Sequence, residues 1–203
     1  MSTDSLTWLL FDLGNVLVDY RPGGLARAAE FFGVDEEQVG AFFGEGDLGE
    51  ALGNGSVTPE EFVARFNSRF GRNAARETFV ELFSVEIGPP YPGIPELIGK
   101  LKGAYSLGVL SNTFFGHWDY FITTELAKRF DALLPSHWLG YSKPDPRAYR
   151  EALARIGAEP SEVLFVDDKE ENVAGAQALG IRAFRSESPQ ETSAGLRRFG
   201  VDC

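Results

Sequence analysis

The chain has 203 residues with 43% hydrophobic and 13% aromatic content, enough for one sizeable core with or without an inserted subdomain, and unlike a disordered segment. With 30 acidic against 19 basic side chains the net charge is -11, which argues against nucleic acid or an anionic membrane as the main partner, because both reward clustered Lys and Arg. An anionic ligand would therefore need local positive charge, from a metal, a lysine or helix N-termini. The one cysteine, Cys203, excludes an intrachain disulfide and fits a reducing compartment. The start MSTDSLTWLLFD lacks a basic leader and no window approaches a membrane span, so a cytoplasmic location is expected. Oligomeric state is not legible.

In chain order, the first apolar run, residues 7–11, reads as a strand that stops at Asp12. Roughly ninety residues then pass before the next strand, far more than a crossover needs. That stretch is helical in pattern. RPGGLARAAEFFG and VDEEQVGAFFG have helical spacing. TPEEFVARFNSRFG opens with Thr58 and Glu61 as a capping box, places Pro59 in the first turn, and spaces Phe62, Phe66 and Phe70 four apart. Residues 20–88 are expected to form a small all-α unit inserted after the first strand, with 1–19 and 89–203 forming the main domain. EIGPPYPGIP marks the return through Pro and Gly.

Beyond it, YPGIPELIGKLKG puts Leu97, Ile98 and Leu101 on one helix face, and strands are expected at 106–110, 132–134, 163–166 and 181–184. Four of the five strands are nearly continuous Val, Leu, Ile and Phe, as strands covered on both faces are. In KPDPRAYREALARIG, Asp145 suits the cap and Pro146 the first helical position. Tyr149, Leu153 and Ile156 make the stripe, and Gly157 ends it. DDKEENVAGAQALG repeats the design with Val173, Ala176 and Leu179, then Gly180. Strands alternating with helices predict an α/β fold, a doubly wound parallel sheet with right-handed crossovers.

Ligands of such sheets bind beyond the carboxyl ends of the strands, at the switch in strand order. Asp12 follows the first strand; Ser111, Asn112 and Thr113 follow the second; Lys143 precedes a helix; Asp167 and Asp168 follow the fourth. Each has an ordinary explanation alone, as a turn, a surface lysine or a helix cap. Their gathering at one end of a sheet is improbable by chance.

The segments FDLGNVLVD, VLSNT, SKPDPRAY and VLFVDDKEENVAGAQALG resemble, in that order, the four motifs of the haloacid dehalogenase superfamily, over essentially the whole chain. The helical insert sits where that superfamily carries its C1-type cap. The FDLGNV form is further similar to the bacterial sugar-phosphate phosphatase subgroup typified by α-glucose-1-phosphate phosphatase. The resemblance implies a Rossmann-like core and a Mg²⁺-dependent hydrolase of small phosphorylated metabolites. Asp12 would be the nucleophile, forming an aspartyl-phosphate that water then hydrolyses. Mg²⁺ would lie between Asp12, the backbone carbonyl of Gly14 and Asp168. Asp167 would stand behind it or reach it through water, since Asn172 aligns with the final acidic or amide position of the fourth motif. Ser111 and Asn112 would hold phosphoryl oxygens, with Asn15 also among the substrate-binding groups. Lys143 would neutralise the phosphate and its adduct with Asp12.

One departure stands out. Most members carry an Asp two residues after the nucleophile, which protonates the leaving oxygen and later activates water; here that position is Gly14. General acid–base help is typically worth 10²–10⁴-fold, roughly 3–5 kcal/mol of barrier. Three readings remain open. The substrate's oxygen leaves easily, as in a hexose 1-phosphate; or another group supplies the proton, with Asn15, Asp19 and His117 the polar candidates; or the scaffold hydrolyses little and has a binding role. Asp19 is expected at a hinge or cap contact. His117, beside Trp118 on the helix after SNT, is expected to be a packed or surface residue. Metal-independent haloacid dehalogenation also uses an Asp without the second, but the Asp167–Asp168 pair counts against it.

Overall fold

The computed structural model describes residues 6–203, so the reading of the first five residues lies outside it. Seven strands are present among the described residues: β1 (Trp8–Phe11), β2 (Val18–Tyr20), β3 (Ile87–Pro90), β4 (Ser106–Ser111), β5 (Ala132–Pro135), β6 (Val163–Asp167) and β7 (Arg182–Arg185). The five expected strands form one all-parallel sheet in the order β5, β4, β1, β6, β7, with ends shifted by a residue or so from the expected ones. From β1 the chain steps outward through β4 to β5, then crosses back to β6 and β7. The switch in order therefore falls beside β1, the strand that ends at Asp12.

Between β2 and β3 come α1 (Gly24–Phe32), α2 (Glu36–Gly44), α3 (Leu48–Gly53), α4 (Pro59–Phe70) and α5 (Arg76–Phe83). After β3 come α6 (Ile94–Leu101), α7 (Phe115–Phe121), α8 (Ser136–Leu139), α9 (Pro146–Ile156), α10 (Glu170–Gln177) and α11 (Pro189–Arg198). The caps follow local chemistry. Thr58 Oγ1 accepts the Glu61 N–H at 3.1 Å while Glu61 Oε2 accepts the Thr58 N–H at 2.9 Å, and Asp145 Oδ1 accepts the Arg147 N–H at 2.8 Å.

Alternation along β1 divides the core. Leu9 and Phe11 face one side with Leu107, Val109, Leu164 and Val166, packed against Ile94 and Ile98 of α6 and Trp118 and Phe121 of α7. Leu10 faces the other side with Leu110 and Phe165, against Tyr149 and Leu153 of α9 and Val173 of α10. Both faces of the sheet are thus covered, as the continuous apolar runs imply. Helices α1–α5 surround a separate apolar cluster whose centre is aromatic. Phe66 lies 4.7 Å from Phe32, 5.4 Å from Phe42, 4.6 Å from Phe70 and 4.9 Å from Phe79, ring centre to ring centre. Phe115 of α7 joins this cluster and Phe62 lies 5.9 Å from it, so the helix after β4 packs on both cores.

The ribbon of β2 and β3 is antiparallel and carries the chain into and out of the helical segment. No alternating pattern in the sequence announces it: β2 is three residues long, and β3 contains Pro89 and Pro90. No helix among the described residues is long and apolar enough to cross a membrane.

Candidate active site

Asp12 follows β1 directly, and its N–H donates to Val166 O of β6 at 2.8 Å, which fixes the residue where the two strands part. Asp167 closes β6 and Asp168 starts the turn into α10. Oxygens of Asp12, Asp167 and Asp168 lie within 4.8 Å of one another. At an effective dielectric near 20, unit charges about 4 Å apart repel by roughly 4 kcal/mol, so this trio needs cations. Lys143 is one. Its ammonium donates to Asp12 Oδ1 at 2.8 Å, Asp167 Oδ2 at 2.6 Å and Leu110 O at 2.7 Å, which uses all three of its N–H groups.

Lys143 is placed from across the sheet. Asn112, just past β4, donates from Nδ2 to Lys143 O at 2.7 Å and accepts the Lys143 N–H on Oδ1 at 2.8 Å. The Asn112 side chain thus clamps the backbone of the lysine, while Asn112 itself lines the cavity, where its backbone N–H is the group expected to meet phosphoryl oxygens. Asp167 is fully buried: Oδ2 takes Lys143, and Oδ1 takes the Lys169 N–H and Asn172 Nδ2, both at 2.9 Å. Asp168 is only half-buried and its Oδ2 accepts from Asn15 Nδ2 at 3.0 Å. Asn15 holds φ near 60°, a left-handed conformation that Asn tolerates better than most residues and that turns its amide toward Asp168.

A cavity of about 200 Å³ opens on this group, lined among others by Asp12, Gly14, Asn15, Ser111, Asn112 and Asp168. Lys143 and Asp167 are not on its wall; they stand behind Asp12. Burial pushes the Asp12 carboxyl up to about 6; Asp167 adds to this, and the Lys143 ammonium and the Leu13 N–H oppose it. Lys143 loses charge stability through burial, but the two carboxylates outweigh that and hold it above its ordinary value. A carboxylate this strained by desolvation and by a like charge, in a cleft, is where a cation or a reacting group gains most.

The remaining candidates divide. Asp19 lies on β2, pairs with Arg21 at 2.6 Å, and does not line the cavity. His117 does line it, with side-chain exposure of 10%, and Nε2 lies 2.7 Å from Glu86 Oε2. The surface alternative for this histidine is therefore excluded. Leu13, Tyr20, Thr113, Ile87 and Lys169 complete the wall. Tyr20 and Ile87 are not signalled in the sequence, because they reach the site through the short ribbon, and neither is Glu86, in the turn just before β3. Lys169 is adjacent to the acidic pair and could have been nominated from DDKEEN alone.

These observations meet an independent set. A model of the haloacid dehalogenase-like hydrolases matches residues 6–180. A mouse protein named acyl-CoA dehydrogenase family member 10 is 29% identical over 90% of this chain, which spans only 18% of that protein's length. A phosphatase of Mycobacterium tuberculosis is 26% identical, over 96% of this chain and 93% of its own. Among solved structures, a HAD family enzyme of Bacteroides thetaiotaomicron in complex with magnesium and inorganic phosphate superposes with a TM-score of 0.76 at 23% identity, covering 89% of this chain and 94% of its own, and so shares the fold. The match runs from β1 through α10, taking in every strand end that carries the site, and the chain belongs to the haloacid dehalogenase-like hydrolase family.

Proposed function

We propose that this protein is a Mg²⁺-dependent phosphomonoester hydrolase, cytoplasmic, whose substrate is a small sugar phosphate of the hexose 1-phosphate type. The observation that carries this reading is the carboxylate trio of Asp12, Asp167 and Asp168 around one buried lysine, on a small cavity. The donor set fits Mg²⁺. The ligating atoms on offer are all oxygens, which suit a hard cation, and the negative charge of three carboxylates exceeds what Lys143 balances. Asp167 has both oxygens engaged by protein donors, so Asp12 and Asp168, which line the cavity, would hold the ion together with the Gly14 carbonyl. When bound, the cation supplies the positive charge that lets an anionic carboxylate approach an anionic phosphoryl group.

The chain's own groups do the rest. Asp12 attacks phosphorus in line with the departing oxygen, giving an aspartyl-phosphate that water hydrolyses. Lys143 holds Asp12 in position and stabilises negative charge on the adduct, and Asn112 fixes the lysine through its backbone. Ser111, the Asn112 backbone N–H and Asn15 contact the phosphoryl oxygens. In this reading residues 20–88 are the cap, and 1–19 with 89–203 the core. A cavity of about 200 Å³, below the usual range of roughly 300–1,000 Å³ for ligand pockets, favours a small organic group on the phosphate.

The test is phosphate release from a panel of phosphorylated metabolites and p-nitrophenyl phosphate, with Mg²⁺ and with chelator. Hexose 1-phosphates should rank first, and release should require the metal and vanish in Asp12→Asn. Chloride release from 2-chloropropionate without metal would replace this reading with dehalogenation. A panel in which hexose 1-phosphates rank no better than phosphoserine or nucleotides would remove the sugar assignment alone.

A further inference from the structure

Resting on the phosphatase reading, we propose that His117 is the general acid and base of this site, in the part that a carboxylate at position 14 would otherwise play. Three features of the molecule carry the proposal. The first is that the space beside Gly14 is narrow. A methyl group on Gly14 would stand 3.2 Å from Tyr20 Cβ and 3.5 Å from its Cγ, so even a Cβ there is tight and the tyrosine would have to give by a few tenths of an ångström. The second is that His117 lines the same cavity as Asp12 although it is nearly buried, so a substrate held over Asp12 lies within the volume this ring borders.

The third is the carboxylate behind the ring. Glu86 accepts His117 Nε2 at 2.7 Å and the Tyr20 hydroxyl at 2.9 Å on Oε2, and the Gly23 and Gly24 N–H groups at 2.9 and 2.6 Å on Oε1. A carboxylate with four donors stays ionised. It accepts the hydrogen bond from Nε2–H, which fixes the tautomer and leaves Nδ1 as the nitrogen that gives and takes the proton. Aromatic rings pack around the rest of it: Phe114 lies 4.5 Å away, Tyr20 5.9 Å and Phe83 6.1 Å, ring centre to ring centre. Tyr20 cannot replace it, since its hydroxyl proton is committed to Glu86. Asp119, on the same helix, is engaged by Arg76 at 2.6 Å.

The steps balance. In the first, an Asp12 oxygen forms a bond to phosphorus while the phosphorus–oxygen bond to the leaving group breaks. The electron pair stays on that oxygen, which takes the proton from His117, leaving an alcohol and a neutral ring. In the second, water loses a proton to His117 as its oxygen bonds to phosphorus. The bond from phosphorus to Asp12 breaks with its electron pair returning to the carboxylate, and inorganic phosphate departs. Because both displacements are in line with Asp12, the departing oxygen and the entering water occupy the same side, so one group serves twice. With this donor in place, alkyl phosphates of small polyols become substrates as well as anomeric phosphates.

The test measures kcat/KM of the full chain with Mg²⁺ over aryl and alkyl phosphates of increasing leaving-group pKa. The wild type is expected to show a shallow dependence. In His117→Gln, whose amide can still donate to Glu86, p-nitrophenyl phosphate should lose less than about tenfold while alkyl phosphates lose about 10²–10⁴-fold. A steep dependence in the wild type overturns the proposal, as does a loss in the variant that is absent or equal across the series. Should His117→Gln not fold, Glu86→Gln is read on the same series, with selective loss on poor leaving groups supporting the assignment and uniform or absent loss ending it. A wild type that releases phosphate from no member overturns the phosphatase reading itself, and is distinct from a wild type that hydrolyses the series with a variant running parallel to it.

Discussion

The Lys143 ammonium and the Asp12 carboxylate, 131 positions apart in the chain, meet at 2.8 Å with side-chain exposures of 1% and 13%. The same nitrogen holds Asp167 at 2.6 Å, so one cation is shared between two buried anions. Removing it leaves both uncompensated. Lys143→Met is expected to destabilise the metal-free protein by about 3–5 kcal/mol at pH 7 and to abolish turnover. Urea unfolding monitored by far-UV circular dichroism checks the first, phosphate release the second. A variant as stable as the wild type would mean that the lysine balances less charge than its contacts imply.

Asp12 predicts the opposite sign. Burial raises its carboxyl from the ordinary 3.8 to about 6, against the pull of Lys143, so the folded state binds this proton more tightly than the unfolded one does. Ionising the group therefore costs folding free energy. The cost is absent below about pH 4, grows between there and about pH 6, and is complete above. Asp12→Asn removes it. In chelator at pH 7.5 the variant should be more stable than the wild type by on the order of 1–3 kcal/mol, with the gap closing as pH falls to 4, while phosphatase activity is lost. Melting temperatures of both proteins across that range give the answer. A gap that widens toward low pH contradicts the sign.

Much of this site is legible in the sequence because strand ends announce it. Asp12, Ser111, Asp167 and Asp168 each close or follow an apolar run, and Lys143 precedes a Pro-capped helix. What sequence alone does not give is which groups turn toward each other. Asn112 belongs to a motif that reads as phosphate binding, yet its amide clamps the backbone of Lys143. His117 is one of three polar groups the sequence offers for the missing proton, and nothing singles it out, because its partner Glu86 lies 31 positions away at the far end of the helical insert and the two meet only in the folded chain. A contact between a short turn and a distant helix leaves no periodic trace.

Glu86 contributes to the acid limit of stability. Burial alone would raise its carboxyl, but donors from His117, Gly23 and Gly24 outweigh it and bring it to about 2, against 4.5 ordinarily. A depressed folded value means stability that is fully present above about pH 4.5 and lost as pH falls toward 2. Its share is on the order of 2 kcal/mol. Glu86→Gln should therefore flatten the fall in urea stability between pH 4.5 and 2.5 while lowering the plateau at pH 7. An unchanged slope in that window would assign the acid sensitivity to other carboxylates.

Two glycines in the helical segment share a left-handed backbone and differ in their neighbours, which makes them a controlled pair. Gly33 has φ of 62° with nothing within 4 Å of an added Cβ. Gly55 has φ of 76°, but a Cβ there would stand 2.2 Å from the carbonyl oxygen of His137. That carbonyl belongs to α8, which is also tied to the segment by the Ser136 hydroxyl donating to Gly53 O at 2.6 Å. Gly33→Ala should cost only the backbone preference, about 1–2 kcal/mol. Gly55→Ala adds a clash with main chain that no rotamer relieves, another 1–3 kcal/mol or so, and forces the α3–α4 turn away from α8. Chemical denaturation should place Gly55→Ala below Gly33→Ala, and amide exchange should show the added loss concentrated between residues 48 and 58 and in α8. Equal destabilisation of the two variants would mean that the turn moves freely against the sheet domain, and that the contact at His137 does not hold the helical segment in place.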